Sequence, residues 1–119
     1  MNNRDKNILL KIQSEAELLL ELTDGHDLQG FLASEVLKRA TGMTLINIGE
    51  LVKLLTEEIK LQNPAVPWRA ISGLRNVAAH GYHTLRMEDI WEIVTKEVSP
   101  FLAQIGEILN TEVDYLPNP

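Results

Sequence analysis

The chain has 119 residues, 45 % hydrophobic and 24 % charged, a balance that fits one compact domain and excludes a disordered, collagen-like or low-complexity chain. Cysteine is absent, which removes a disulfide framework, Cys-ligated zinc, an iron–sulfur centre and a thiol nucleophile together. Eleven basic against seventeen acidic side chains leave a net charge of −6, the wrong sign for coating nucleic acid by bulk electrostatics.

The amino-terminal stretch MNNRDKNILLKIQ carries charge where a secretory signal needs an apolar core. No later run approaches membrane-spanning length, so a cytoplasmic protein with no membrane partner is expected. Ile8, Ile12, Ala16, Leu19 and Leu22 recur at helical spacing and predict a first helix over residues 5–23, stopped by Asp24-Gly25. From Asp27, a candidate N-cap, apolar positions including Leu28, Phe31, Val36, Leu37, Met43, Ile48, Val52 and Ile59 run to the breaker Asn63-Pro64. They predict about thirty-five residues of helix with a bend near Thr41-Gly42, since an interior glycine costs roughly 1 kcal/mol relative to alanine.

Pro67 suits the first position of a third helix, expected from Trp68 to about His80 and closed by Gly81. A fourth is expected over 88–98, with Ile90, Trp91, Val94 and Val98 inward, and Ser99-Pro100 opens a fifth carrying Phe101, Leu102, Ile105, Ile108 and Leu109. No sustained period-two alternation competes, so the class is all-α. The expected architecture is a bundle of about five helices built on a long antiparallel pair, one domain over 1–110 with a flexible tail over 111–119.

Charge is segregated along the chain. Between Glu58 and Glu88 there is no carboxylate side chain, while Lys60, Arg69, Arg75 and Arg86 lie there with His80 and His83. That window carries +4 and the rest of the chain −10, which points to a local anionic ligand. On a helical wheel of about 100° per residue, Trp68, Ile71, Leu74, Val77 and Ala78 share one arc. Arg69, Ser72, Gly73, Asn76 and His80 share the other, with Arg75 at the boundary. Arginine suits bidentate contact with phosphate, and imidazole suits moving a proton near neutral pH. The structural alternative is a helix-end cap with a surface ion pair.

The segment Arg75-Asn76-Val77-Ala78-Ala79-His80-Gly81-Tyr82 reads Arg, four residues, His, one residue, Tyr. With Ile48-Gly49-Glu50, Pro67-Trp68-Arg69 and Trp91 at similar spacing, it resembles the HepT-like toxin ribonucleases of the HEPN superfamily. The resemblance spans residues 28–109. It implies a HEPN-like helical fold, a homodimer, and metal-independent RNA cleavage by attack of a ribose 2′-hydroxyl that leaves a 2′,3′-cyclic phosphate. It implies His80 as base or acid, Arg75 as phosphate clamp and Asn76 as the group orienting either. Arg69, His83 and Arg86 are RNA-binding candidates, and the RNA is tRNA or mRNA. It further implies a nucleotidyltransferase antitoxin that transfers AMP onto Tyr82, blocking the site by charge and volume.

The alternative is a non-catalytic HEPN module that binds a nucleotidyltransferase and nucleotide or substrate. Trp68 and Trp91 read as core, Met43 and Met87 as packing, and His26 as surface. Glu50 reads as an ion-pair partner of Arg69 or Arg75, or as solvent-exposed. No metal-ligand spacing and no glycine-rich phosphate loop appear, so no metal and no cofactor are expected.

Overall fold

The computed structural model describes the backbone of residues 1–84 and 87–115 and the side chains of 1–80 and 87–111. Among the described residues the only regular secondary structure is helical, in eight helices: α1 (Asn3–Thr23), α2 (Leu28–Ala33), α3 (Glu35–Leu54), α4 (Glu57–Gln62), α5 (Trp68–Ser72), α6 (Leu74–Thr84), α7 (Met87–Lys96) and α8 (Val98–Tyr115). None of them is long and apolar enough to cross a membrane.

Helix α1 starts where the Asn2 side chain accepts from the Asp5 N–H at 2.6 Å and ends before Gly25, whose φ of +77° only glycine adopts cheaply. Asp27 caps α2 as expected, accepting from the Gly30 N–H at 2.8 Å. The single long helix expected next is instead three, and the breaks are not at Gly42. Ser34 leaves helical geometry and caps α3 by accepting from the Leu37 N–H at 3.1 Å. Thr56 does the same for α4, accepting from the Ile59 N–H at 3.4 Å. The helix runs straight through Gly42, because a loss of about 1 kcal/mol at one glycine is small beside the burial of Leu37, Leu45, Ile48 and Val52 on the same helix.

The start of α1 meets the end of α3, which makes them antiparallel. Arg4 Nη1 donates to the Leu54 carbonyl at 2.7 Å, and Asp5 accepts from the Thr56 N–H at 3.1 Å and its hydroxyl at 2.6 Å. Leu9, Ile12, Ala16 and Leu19 of α1 are fully buried and pack with Leu45, Ile48 and Val52 of α3, while α8 packs on α1 through Phe101 and Ile105. Helix α7 closes the remaining side, its Trp91 ring tilted against Phe31 of α2 at 5.1 Å.

The expected third helix divides at Gly73 into α5 and α6. Pro67 stands at the N-cap, one position outside the helix, and Gly81 does not close α6, which continues to Thr84. Helix α8 runs to Tyr115, past the expected end of the domain, and residues 116–119 of the expected tail lie outside the described residues.

Two residues read as interior face outward. Met43 is 58 % exposed and Val36 81 %, since both sit opposite the α3 face that carries Leu37, Leu45, Ile48 and Val52. Val77 is exposed as well: Ile71, Leu74 and Ala78 turn toward the core, and Val77 lies at the margin of that arc.

Candidate functional site

The site is built where α3 crosses the junction of α5 and α6. Gly49 is buried there, and a Cβ on it would lie 2.9 Å from the Arg75 nitrogen, 3.0 Å from the Ser72 carbonyl oxygen and 3.1 Å from the Arg75 Cβ. Only a residue without a side chain lets the two backbones approach so closely. Below the crossing, Trp68 anchors α5: its ring is buried and its Nε1 donates to the carbonyls of Asn63 at 3.0 Å and Lys60 at 3.2 Å. Trp68 and Trp91 thus pack rather than presenting open faces to a base.

From this crossing the next residue of α3, Glu50, points outward and forms an ion pair with Arg75 Nε, both side chains remaining about half exposed. Arg75 Nη1 in turn donates to Asn76 Oδ1 at 3.3 Å. Carboxylate, guanidinium and amide therefore stand in a row, and of the two arginines considered for Glu50 it is Arg75 that pairs. The absence of carboxylates along residues 59–87 does not persist in space, because α3 brings one in.

His80 is exposed on α6, one turn beyond Asn76 on the same side. It lies about 7.5 Å along the axis from Arg75 and about 140° around it, by helix geometry. Asn76 and His80 thus share a face, and Arg75 joins it through its bond to Asn76.

Arg69 is exposed on α5 and, among the described residues, makes no ion pair. Tyr82 and His83 have helical backbone within α6, not the loop conformation expected after Gly81, but their side chains lie outside the described residues, as does Arg86 altogether. His26 is exposed between α1 and α2, and Met87 is buried. Among the described residues no three His, Asp or Glu side chains gather as metal ligands.

Beside Glu50, an open groove of about 480 Å³ runs between α1 and α3, lined by Leu10, Lys11, Ser14, Asn47, Leu51 and Leu54 among others. Leu10 is 42 % exposed and Leu54 50 %, both at this groove, and Met43 and Val36 face outward further along the same side of α3, with Arg39, Asn47 and Glu50 between them. Sequence reasoning did not find this face. Its signal is the second period of exposed apolar positions, 36, 43 and 54, which a single apolar tally merges with the core.

A family model described as Ribonuclease HepT-like matches residues 12–108. "Putative RNase TTE0752" of Caldanaerobacter subterraneus subsp. tengcongensis is 37 % identical over 101 residues, 85 % of this chain and 90 % of the relative. "Putative RNase MJ0127" of Methanocaldococcus jannaschii is 32 % identical over 91 residues, 76 % of this chain and 75 % of the relative. "Probable ribonuclease HepT" of Thermococcus cleftensis is 26 % identical over 98 residues, 82 % of this chain and 89 % of the relative. No solved structure matches the chain.

Proposed function

The chain belongs to the HepT-like ribonuclease family of the HEPN superfamily, and on that footing we propose that it is a metal-independent endoribonuclease, the toxin of a toxin–antitoxin pair. The observation that carries this reading is the grouping of Arg75, Asn76 and His80, all exposed, on one short helix of a segment rich in positive charge.

In the reaction, one imidazole takes the proton of a ribose 2′-hydroxyl as its oxygen attacks the adjacent phosphorus. A second imidazole gives a proton to the departing 5′-oxygen as the P–O5′ bond breaks. The products are a 2′,3′-cyclic phosphate and a 5′-hydroxyl, and the two imidazoles end with exchanged protonation states. Arg75 holds the phosphate and offsets the charge that builds on it, while Asn76 orients the imidazole or the phosphate. General acid–base transfer contributes about 10²–10⁴-fold.

Each chain supplies a single His80, and Arg75 leaves the helix on a different side from it, so the reading requires a homodimer that pairs His80 with His80 of the partner subunit. Exposed Leu10 and Leu54 in the groove beside Glu50, with Met43 further along α3, support this, because exposed apolar side chains near the site suit burial against a second copy. Arg69, His83 and Arg86 hold the flanking RNA, which is tRNA or mRNA. A nucleotidyltransferase antitoxin neutralises the enzyme by transferring AMP from ATP to the Tyr82 hydroxyl, which loses its proton as pyrophosphate leaves, and the added group brings negative charge and bulk that oppose RNA phosphate. The setting is the cytoplasm.

The test is purified protein incubated with total RNA beside folded His80→Ala and Arg75→Ala variants. Cyclic-phosphate ends formed only by the unaltered protein are expected. Equal cleavage by all three would assign the activity to a contaminant and leave the chain as a helical module that binds a nucleotidyltransferase. For the antitoxin, AMP transfer to the unaltered chain and none to Tyr82→Phe is expected.

A further inference from the structure

We propose that Glu50 is a positioning residue of the ribonuclease site, holding the Arg75 guanidinium at Nε so that the hydrogens left on its two Nη nitrogens meet the scissile phosphate. The inference rests on the reading of Arg75 as phosphate clamp. A guanidinium has five N–H donors. Among the described residues, Nε is taken by Glu50 and one Nη1 hydrogen by Asn76 Oδ1 at 3.3 Å, which leaves one hydrogen on Nη1 and two on Nη2. Two neighbours on different nitrogens restrain a plane that would otherwise swing on a half-exposed four-bond stem.

Two simpler roles fit the geometry less well. A tie between α3 and α6 is not needed, because the backbones already meet at Gly49 and pack through Ile48 and Ala78, and a half-exposed ion pair adds little to stability. A role in affinity has the wrong sign, since a carboxylate beside a phosphate site repels the ligand. What remains is orientation, and Gly49 is what brings the carboxylate within reach: the same close crossing that admits no Cβ sets Glu50 beside Arg75.

The test is steady-state cleavage of a synthetic RNA oligonucleotide by the full chain and by Glu50→Ala, Glu50→Gln and the distant charge control Glu57→Gln, with folding checked by melting. Glu50→Ala is expected to lower kcat by about 10–100-fold with KM raised less than about threefold, the pattern of misplaced rather than missing binding. Glu50→Gln keeps an oxygen for the Nε–H and is expected to recover most of kcat, and Glu57→Gln to match the unaltered protein. The Arg75 Nε–H proton resonance is expected to be observable in the unaltered protein and to broaden in Glu50→Ala. If Glu50→Ala fails to fold, Glu50→Asp, which withdraws the carboxylate by one methylene, takes its place with the same expectation.

Unchanged kcat in Glu50→Ala, or a Glu50→Gln variant as poor as Glu50→Ala, overturns the proposal while leaving the ribonuclease reading intact. An unaltered protein that cleaves no RNA brings down both.

Discussion

Replacing Gly49 by alanine isolates the crossing of α3 with the α5–α6 junction. At an exposed helical position this change stabilises by about 1 kcal/mol, through helix propensity and a less free unfolded chain. At Gly49 the new methyl would meet Arg75 N at 2.9 Å and Ser72 O at 3.0 Å, both backbone atoms that no rotamer change can move aside. Ordinary contact requires about half an ångström more, so the helices must separate, and overpacking of this kind costs about 1–3 kcal/mol. The propensity gain offsets part of that, leaving a net loss of about 0–2 kcal/mol. For a chain of this size the melting temperature should fall by up to about 8 °C.

Gly106 of α8, whose Cβ would meet nothing within 4 Å, is the internal control, and Gly106→Ala should raise the melting temperature by a few degrees. Both are read by thermal denaturation at one protein concentration. RNA cleavage by Gly49→Ala should fall further than the stability loss accounts for, because the separation moves Arg75 away from Glu50. A Gly49→Ala protein as stable as Gly106→Ala and fully active would refute the close-crossing argument.

Three further outcomes are expected. Asp5 is 2 % exposed and accepts two hydrogen bonds from Thr56, so Asp5→Ala should cost about 2–4 kcal/mol in urea unfolding, with Asp5→Asn recovering part of it. Thr41 is fully buried with no partner for its hydroxyl among the described residues, so Thr41→Val should be neutral or stabilising by about 1 kcal/mol in thermal melts, and a loss above that would reveal a hidden partner. Met43→Glu and Leu54→Glu place charge on the exposed face of α3 and should shift sedimentation from dimer to monomer; a protein that is monomeric before substitution refutes the pairing outright.

The all-helical class, the antiparallel pair and most of the core were legible because apolar residues recur at helical spacing through α1, α3, α7 and α8. The breaks were not, because Ser34 and Thr56 sit inside an uninterrupted periodic run and act through capping bonds to N–H groups three residues on. A signal was present in each case: Ser34-Glu35 and Thr56-Glu57-Glu58 are a capping side chain followed by acid in the first turn, the charge that favours a helix start. Glycines misled in both directions. Gly42 and Gly81 read as interruptions and are passed through, while Gly73 does separate α5 from α6 and Gly49 acts by closeness to another helix. Of the candidate site, the motif was visible as a string, and Glu50 was singled out. That Glu50 meets Arg75 and not Arg69 depends on the angle at which two helices cross, which no one-dimensional pattern contains.

The corner formed by Arg4 and Asp5 shows how little of a fold is contained in composition. Arg4 meets the carbonyl at the end of α3, where the backbone dipole is negative, and Asp5 meets the amide at the start of α4, where it is positive. A chain with these two neighbours exchanged would have the same length, mass and net charge, yet each charge would face the helix end of its own sign. The polypeptide reads the order of two adjacent letters as the polarity of a plug, and only one way round fits the socket.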